Sequence, residues 1–445
     1  SRKEWTQSCA TPAIEKLERV RDVRVHSGIA PEQGMQRGTE TSVPDFGRLR
    51  SIFTGCQVCV ADCRRREFTD QPREDMTFDA FVDVFESHRG SPDDPIECDE
   101  GTHDQRDLLY LKDWHFVRDR PEYGAYTVPD IFADDWLNGF WAARKDTEDD
   151  YRFCYMGGPG TFTPLHADVY RSYSWSANIT GIKHWIFFPP DQQPLLRSVK
   201  TGQPPYLISE ALADPAEYPN AAKAVRIDVW QFPGETIFVP SGWWHQVINE
   251  SHTISINHNW ANACNLVYLS ESLVHDWIQA RWDIRDLWQD KIITDVYEYE
   301  TVVNDLVRAN SGWDWVLLFR LLAWGVGLVR QLQNPSQQHD RLTSCEHPGL
   351  EDVRRDLFPS STFILEQIRK VLDRFRLPSK LPVEHLQELP TDCLAKDLVQ
   401  RWYEGDDKHV RLAELHFFVG QAIPHSTVVN SLYDCVCTLS DRTGF

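Results

Sequence analysis

The stretch Thr163-Pro-Leu-His166-Ala-Asp168 lies in a segment of short apolar runs, from residue 150 to residue 260, that decides the fold class. In this segment aromatic and β-branched runs alternate with Gly and Pro, which is typical of all-β domains built from many short strands. The predicted strands are Tyr151–Met156, Ser174–Ile179, Lys183–Phe188, Thr236–Val239 and Thr253–Trp260. The pattern favours a double-stranded β-helix of the cupin or jelly-roll type.

The sequence changes in character on the N-terminal side of this segment. Residues 1–45 are polar and show no sustained period, so they form a poorly readable N-terminal segment. Residues 46–145 mix helical and strand patterns. We predict there a helix at Met76–Ser87, a short strand at Leu108–Leu111 and a short amphipathic helix at Ile131–Trp141.

From about residue 265 onward the pattern is helical. Apolar stripes run from Leu266 to Ile284, along Trp313–Val329 and along Phe363–Leu372, and prolines separate them. The predicted fold class is therefore α+β, a double-stranded β-helix with flanking helices and an α-helical C-terminal region. The predicted domains are the N-terminal segment 1–45, the β-helix domain 46–264 with its core at 150–260, and the C-terminal region 265–445.

The composition, 41% hydrophobic and 25% charged, is that of an ordinary globular protein of 445 residues. The formal net charge of −21 repels nucleic acid and anionic membranes and attracts basic partners. The longest apolar run, Trp315–Val329, contains Arg320 and is shorter than the ~20 residues that span a bilayer. We therefore expect neither nucleic acid nor a membrane as a partner.

The 11 cysteines are an odd number without a disulfide framework, which indicates reduced thiols. Residues 1–10 carry charge and lack the apolar stretch of a secretory signal. These two features predict a cytoplasmic location, with the nucleus as the alternative.

Two histidines and one aspartate predict a metal centre. Residues two apart on a strand point the same way, so His166 and Asp168 should present their side chains together. His245 ends the turn Val239-Pro-Ser-Gly-Trp-Trp-His245, far enough along the chain for several strands to intervene. Two histidines and a carboxylate on one face form the facial triad that binds Fe(II) and leaves positions open. Ligand type alone does not exclude zinc, and an isolated His-x-Asp usually has no function.

A lysine opens the predicted strand Lys183–Phe188, which is otherwise apolar and aromatic. Burying a lysine is costly unless it is paired, and a bound dicarboxylic acid would supply the partner carboxylate. The alternative is a lysine at a strand end whose ammonium group reaches water. Beside a metal triad, we favour the anchoring role.

Several motifs resemble those of the jumonji C oxygenases, in the group of small hydroxylases. The main motifs are Thr163-Pro-Leu-His166-Ala-Asp168, Gly181-Ile-Lys183-His-Trp-Ile-Phe-Phe-Pro-Pro190 and Val239-Pro-Ser-Gly-Trp-Trp-His245. The supporting blocks are Tyr110-Leu-Lys-Asp-Trp114, Asp135-Trp-Leu-Asn138, Ser172-Tyr-Ser-Trp-Ser176 and Thr253-Ile-Ser-Ile-Asn-His-Asn-Trp260. The resemblance extends from about Pro44 to about residue 270, and residues 1 to about 43 do not match the opening segment of the family.

This resemblance implies an iron centre and a cosubstrate pocket. His166, Asp168 and His245 would be the metal ligands and so form the catalytic centre. The residues that would bind 2-oxoglutarate are Tyr110, Thr163, Lys183 and Asn257. The first three would hold the distal carboxylate, and Asn257 would lie near the carboxylate at the metal. The implied cofactors are Fe(II), 2-oxoglutarate and O2, with ascorbate assisting.

The resemblance also implies a protein hydroxylase, most similar to one that hydroxylates a lysine carbon of a translation termination factor. The iron and cosubstrate motifs are shared with N-methyl-lysine demethylases, which are the first alternative. A non-catalytic cupin-like binding protein is the second, and a zinc- or manganese-dependent cupin enzyme is the third. The C-terminal helices would widen the surface for a protein substrate or mediate a homodimer.

Overall fold

The computed structural model describes residues 44–87, 108–144, 150–333 and 359–375, and the statements below refer to these residues. The chain forms two compact units. The first comprises Ser1–Ala133, Thr147–Asp168 and Tyr173–Trp260, and the second comprises Asp134–Asp146, Val169–Ser172 and Ala261–Phe445. The domain boundaries predicted at 45/46 and 264/265 stay predictions, and nearly all of the segment 1–45 lies outside the described residues.

The described part of the first unit contains two antiparallel sheets. The strands are β1 (Gln57–Asp62), β2 (Arg73–Thr77), β3 (Leu109–Trp114), β4 (Arg152–Gly157), β5 (Phe162–His166), β6 (Tyr173–Thr180), β7 (Lys183–Phe188), β8 (Ile227–Gln231), β9 (Thr236–Val239), β10 (Trp244–Asn249) and β11 (Thr253–Trp260). The larger sheet has the order β2-β1-β3-β4-β11-β6-β9, and the smaller sheet has the order β5-β10-β7-β8. From β4 to β11 the chain passes back and forth between the two sheets, which is the winding of a double-stranded β-helix. The predicted fold class is confirmed.

This winding decides which residues meet. Because β10 lies between β5 and β7, His245 is the cross-strand partner of His166 on one side and of Phe187 on the other. At the far end of β10, Asn249 is the cross-strand partner of Lys183. One central strand therefore borders both the predicted metal ligands and the predicted cosubstrate anchor.

Aromatic side chains cover one face of the larger sheet, together with α1 (Phe46–Phe53) and α2 (Phe78–Ser87). The ring centroids of Phe53, Phe78 and Trp114 are 4.9–5.3 Å apart. Such clusters bury much apolar area in favourable tilted and edge-on geometries. Alternate residues of the same strands point to the opposite face of the sheet, and that face carries the predicted cosubstrate residues Tyr110 and Asn257.

The predicted strand at Leu108–Leu111 is present as β3, but the predicted helix at Met76–Ser87 begins later. Met76 belongs to β2, because it pairs with Val58 in the β1–β2 ladder, and α2 begins only at Phe78. The edge strand β8 was missing from the prediction. It contains the strand-forming residues Ile227, Val229 and Trp230, but four of its five residues are exposed or half-buried, so no buried apolar run marks it.

The remaining helices of the first unit are α3 (Phe116–Asp119) and α5 (Ile208–Ala213). The helices of the second unit are α4 (Trp136–Ala143), α6 (Leu266–Asp283), α7 (Arg285–Gln289), α8 (Val296–Ser311), α9 (Trp315–Gln333) and α10 (Ser361–Phe375). The helix predicted at Ile131–Trp141 is divided into a 3₁₀ turn, Asp130–Phe132, and α4. The carboxylate of Asp135 accepts a hydrogen bond from the backbone N–H of Asn138, so α4 begins with an N-cap at this point.

Glycines let α4 and α9 approach closely within the second unit. A Cβ atom at Gly325 would lie 2.4 Å from the indole ring of Trp136, and one at Gly139 would lie 2.8 Å from that of Trp324. Each tryptophan therefore packs where the facing helix has no side chain. Among the described helices, none has both the length and the apolar character needed to cross a membrane.

Candidate active site

Three metal-ligating side chains converge in the first unit. His166 is the last residue of β5 and His245 is the second residue of β10. Their ring centroids are 4.2 Å apart. A nitrogen of each ring and a carboxylate oxygen of Asp168 all lie within 4.8 Å of one another, close enough to share one metal ion. In the part of the chain that the structure describes, no other group of three His, Cys, Asp or Glu side chains meets this spacing.

Asp168 reaches the cluster from a loop rather than from a strand. Since β5 ends at His166, the argument that both side chains share one strand face is wrong, although the two groups do meet. The hydroxyl of Ser174, in β6, donates a hydrogen bond of 2.7 Å to Oδ2 of Asp168. This bond orients the carboxylate that the loop delivers.

Both imidazoles are oriented by their own backbone. Nδ1 of His166 lies 2.8 Å from the carbonyl oxygen of Pro164, and Nδ1 of His245 lies 3.1 Å from that of Trp243. A carbonyl can only accept, so each Nδ1 carries the proton and each Nε2 is left as a metal ligand. Burial lowers the pKa of His245 well below its ordinary value, and the adjacent His166 adds to the effect. His245 is therefore neutral, the form that binds metal.

Lys183 begins β7 and is only 1% exposed. Its ammonium group makes no hydrogen bond or ion pair with any described residue, and the ring of Tyr155 is centred 5.6 Å away. Burial lowers the pKa of Lys183 to about 7. The alternative of a strand-end lysine in water is therefore wrong, and this buried cation is suited to receive a carboxylate.

Tyr110 lies beside this anchor. Its buried phenol lies beside the side chains of Asn249 and Thr163, and Asn249 is the cross-strand partner of Lys183. Burial raises the pKa of the phenol above its ordinary value, so the group stays protonated and can donate to a ligand. The close approach depends on Gly157, because a Cβ atom there would lie 2.7 Å from the tyrosine ring.

Asn257 lies on the same face of β11 as Ser255. The hydroxyl of Ser176 donates a hydrogen bond of 3.0 Å to Oδ1 of Asn257. On the opposite face, Ile254 and Ile256 are in the hydrophobic core, as the alternation of the sequence predicts. The structure thus places Asn257 on the predicted face, and its contact with 2-oxoglutarate stays a prediction.

Four further residues belong to this neighbourhood, and no sequence pattern singles them out. They are Asp113, Tyr155, Ser174 and Asn249. Two of them, Asp113 and Ser174, lie in sequence blocks that resemble the jumonji C family, but the resemblance assigns them no role. Their positions depend on the register between strands that are distant in the sequence, which a single sequence does not specify.

The donor set fits iron and the cosubstrate. Two imidazoles and one carboxylate are the ligands of the facial triad that suits Fe(II). The buried ammonium of Lys183 and the phenol of Tyr110 fit one carboxylate of a dicarboxylic acid. The structure therefore brings together all three predicted metal ligands, and it brings together Tyr110, Thr163 and Lys183.

Comparison with known proteins agrees with this donor set. The model of the cupin-like domain family matches residues 3–265, more than half of the chain. The 2-oxoglutarate and iron-dependent oxygenase JMJD4 of Homo sapiens is 39% identical over 362 residues, which cover 76% of this chain and 83% of that protein. This chain belongs to the jumonji C oxygenases of the cupin-like family. The resemblance read from the sequence motifs is confirmed.

Two other jumonji C relatives differ in name. The "Arginine-specific demethylase JMJ20" of Arabidopsis thaliana is 39% identical over 324 residues, covering 69% of this chain and 65% of that protein. JMJD4 of Gallus gallus is 40% identical over 248 residues, covering 56% of each chain. This chain thus spans less than two thirds of the length of these two relatives. Jumonji C oxygenases of the JMJD4 type depend on iron and 2-oxoglutarate, the two groups that the donor set fits.

Proposed function

We propose that this jumonji C protein is an Fe(II)- and 2-oxoglutarate-dependent protein hydroxylase that adds oxygen to a lysine carbon of a translation termination factor. The observation that carries the oxygenase assignment is the coexistence of the three-ligand cluster with the buried ammonium of Lys183, which has no hydrogen bond or ion pair among the described residues. A zinc or manganese cupin enzyme has no use for such an anchor. A vestigial pocket would have no reason to keep it together with three intact ligands.

The residues of the site divide into two groups. His166, Asp168 and His245 would hold the metal, and Lys183 and Tyr110 would hold the distal carboxylate of the cosubstrate. With O2, the bound iron and 2-oxoglutarate would supply the oxidant that hydroxylates an unactivated carbon. The protein itself contributes orientation. Ser174 fixes the carboxylate of Asp168 and backbone carbonyls fix both imidazoles.

The target residue is proposed from the resemblance of the sequence motifs to a lysyl hydroxylase of a termination factor. The net charge of −21 suits a basic target, because opposite charge accelerates encounter, although it does not select one. The C-terminal helices are proposed to widen the surface for the protein substrate or to mediate a homodimer. A cytoplasmic location, proposed from the cysteine content, agrees with a substrate of the translation machinery.

Demethylation is the second candidate, and the similarity to JMJ20 favours it, since that relative is named an arginine-specific demethylase. The two reactions differ in where the oxygen is added. A hydroxylated side-chain carbon is stable, whereas a hydroxylated N-methyl group breaks down and releases formaldehyde. Methylated arginine and methylated lysine are both candidate substrates for this alternative.

Mass spectrometry separates these candidates. Recombinant termination factor, incubated with the protein, Fe(II), ascorbate, 2-oxoglutarate and O2, should gain one oxygen atom on a lysine. Each oxygen added should be matched by one succinate formed. The alternative outcome is that methylated arginine or lysine peptides lose methyl groups and release formaldehyde while the termination factor stays unmodified. This outcome would assign demethylation, and not hydroxylation, to the protein. No succinate with any of these substrates would contradict the oxygenase assignment itself.

A further inference from the structure

The pairing of β3 and β4 is irregular next to the cosubstrate pocket. The register shifts after Leu111, so that Tyr155 of β4 faces two residues of β3, Lys112 and Asp113. Such a β-bulge redirects side chains and is a common device near active sites. Asp113 has a φ of 58°, in the left-handed region that costs free energy for a residue other than glycine. The bulge is therefore maintained against a local cost.

The bulge brings the carboxylate of Asp113 between a tyrosine and an arginine. The phenol of Tyr155 donates a short hydrogen bond to Oδ1, and Arg73, in β2, donates one of 2.5 Å to Oδ2. Burial opposes ionisation of Asp113, but Arg73 and Lys112 hold its pKa below the ordinary value. Burial and this carboxylate raise the pKa of the Tyr155 phenol, so it remains a hydrogen-bond donor. The pair is a charge-assisted hydrogen bond, stronger than a neutral one.

The ring of Tyr155 faces the cosubstrate anchor. The ammonium of Lys183 lies 5.6 Å from its centroid, within the range of a cation–π interaction. The ring of Tyr110 is centred 6.0 Å from that of Tyr155, so both aromatic side chains border the same space. Because Lys183 has no hydrogen bond or ion pair within the described ranges, the ring of Tyr155 is positioned to stabilise its ammonium group.

We propose that Tyr155 is a positioning residue for 2-oxoglutarate, whose ring, fixed by Asp113 and Arg73, holds the ammonium of Lys183 ready for the distal carboxylate. The inference rests on the proposed function. It assigns the strands β2 and β3 a part in cosubstrate affinity, because Arg73 and Asp113 come from them. The series of side-chain contacts from Arg73 through Asp113 and Tyr155 to Lys183 leads from the edge of the larger sheet into the pocket.

Equilibrium binding without turnover tests this role. Titration calorimetry first measures the affinity of the full chain for Mn(II), a metal that supports no oxidation here. It then measures the affinity for 2-oxoglutarate in the presence of Mn(II). Replacing Tyr155 by Leu removes the ring and should weaken 2-oxoglutarate binding about 5- to 30-fold, the range of a desolvated cation–π interaction. Affinity for Mn(II) alone should not change. A loss of both affinities together would reveal a merely structural role and overturn the inference.

Conservative variants test the part played by Asp113. Tyr155→Phe keeps the ring and loses its hydrogen bond, so 2-oxoglutarate binding should weaken less than in Tyr155→Leu. Asp113→Ala breaks the same bond. The double variant of Asp113→Ala and Tyr155→Phe should bind 2-oxoglutarate no more weakly than the single variant with the lower affinity, because both changes remove one interaction. Additive losses would show that Asp113 does not act through Tyr155.

Tyr126→Phe is the matched control. It removes a short hydrogen bond to buried His258, which shares its face of β11 with the core residues Ile256 and Trp260, and it should leave 2-oxoglutarate affinity unchanged. Wild-type affinity for 2-oxoglutarate in the Tyr155→Leu variant would refute the role of Tyr155 and leave the proposed function intact. Absence of 2-oxoglutarate binding by the wild-type protein with Mn(II) would instead refute the proposed function, and the inference with it.

Discussion

His166 and His245 are direct cross-strand partners, and each donates its Nδ1–H to the carbonyl of the residue two positions earlier. Neither imidazole depends on the other or on a metal for its orientation. The site is therefore preformed by the backbone, and its ligands contribute to metal binding more than to folding. Predictions about this site can separate activity from stability.

Removing a metal ligand should abolish turnover without unfolding the protein. We expect His166→Ala, Asp168→Ala and His245→Ala each to lose 2-oxoglutarate turnover, because two remaining ligands hold the metal poorly. Thermal unfolding of the metal-free variants should stay close to that of the metal-free wild type. Succinate release measures the turnover, and calorimetry measures the thermal unfolding. Wild-type turnover in any one variant would remove that residue from the ligand set.

Ser174→Ala should weaken metal binding by about 10- to 100-fold, since partners that orient a ligand typically contribute that much. The variant loses the hydrogen bond of 2.7 Å to Asp168 and keeps all three ligands. Titration of the metal-free protein with Mn(II) measures the change. Ser198→Ala is a suitable control, because its hydroxyl bonds Glu217 instead. Equal Mn(II) affinity in both variants would contradict the orienting role.

Lys183→Met should change cosubstrate binding and stability in opposite directions. Loss of the anchor should cost on the order of 3–5 kcal/mol of 2-oxoglutarate binding, as for other buried ion pairs that lose a partner. Removing a buried ammonium that has no hydrogen bond or ion pair with any described residue should raise the free energy of unfolding of the protein without ligand. Tyr110→Phe should be milder, about 1.5–3 kcal/mol for a hydrogen bond to a charged acceptor. An unchanged KM for 2-oxoglutarate in Lys183→Met would exclude the anchor.

The affinity for 2-oxoglutarate should fall as the pH rises above about 7. Burial holds the pKa of Lys183 at about 7 in the ligand-free protein, and a bound carboxylate would raise it. Binding above that pH therefore requires proton uptake, and the KM should increase up to tenfold per pH unit. Steady-state kinetics from pH 6 to pH 9 at saturating metal would measure it. Lys183→Arg, which stays charged, should show a flatter profile, and identical profiles would refute the explanation.

Gly325→Ala should destabilise the second unit by about 1–3 kcal/mol, the usual cost of overpacking a well-packed core. The new methyl group would lie 2.4 Å from the ring of Trp136, so the two helices would have to separate. Gly47→Ala, in the exposed part of α1, meets only ordinary contacts and should stabilise by roughly 0.5–1 kcal/mol. Chemical denaturation compares the two variants. Equal effects would show that α4 and α9 do not interlock at this glycine.

Much of the fold could be predicted because the strands of the β-helix carry strong local signals. Lys183–Phe188, Thr236–Val239 and Thr253–Trp260 begin and end where the sequence predicts. The helix predicted from Met76 is wrong at its start, because tertiary pairing places Met76 in β2, and the edge strand β8 is not predicted, because few of its residues are buried. The bulge at Asp113 was unpredictable, since a register shift leaves no trace in either strand alone.

The sequence by itself determined the chemistry available to this protein. Its motifs contain two histidines and an aspartate, which can bind a metal, and a lysine, which can bind a dicarboxylate. Tertiary structure alone decided how they combine. It delivered Asp168 from a loop, buried Lys183 with no described carboxylate paired to it and placed Tyr155 between that lysine and Asp113. The physical reason is that burial and cross-strand register arise from the packing of distant segments, and they set the pKa, orientation and partners of each group.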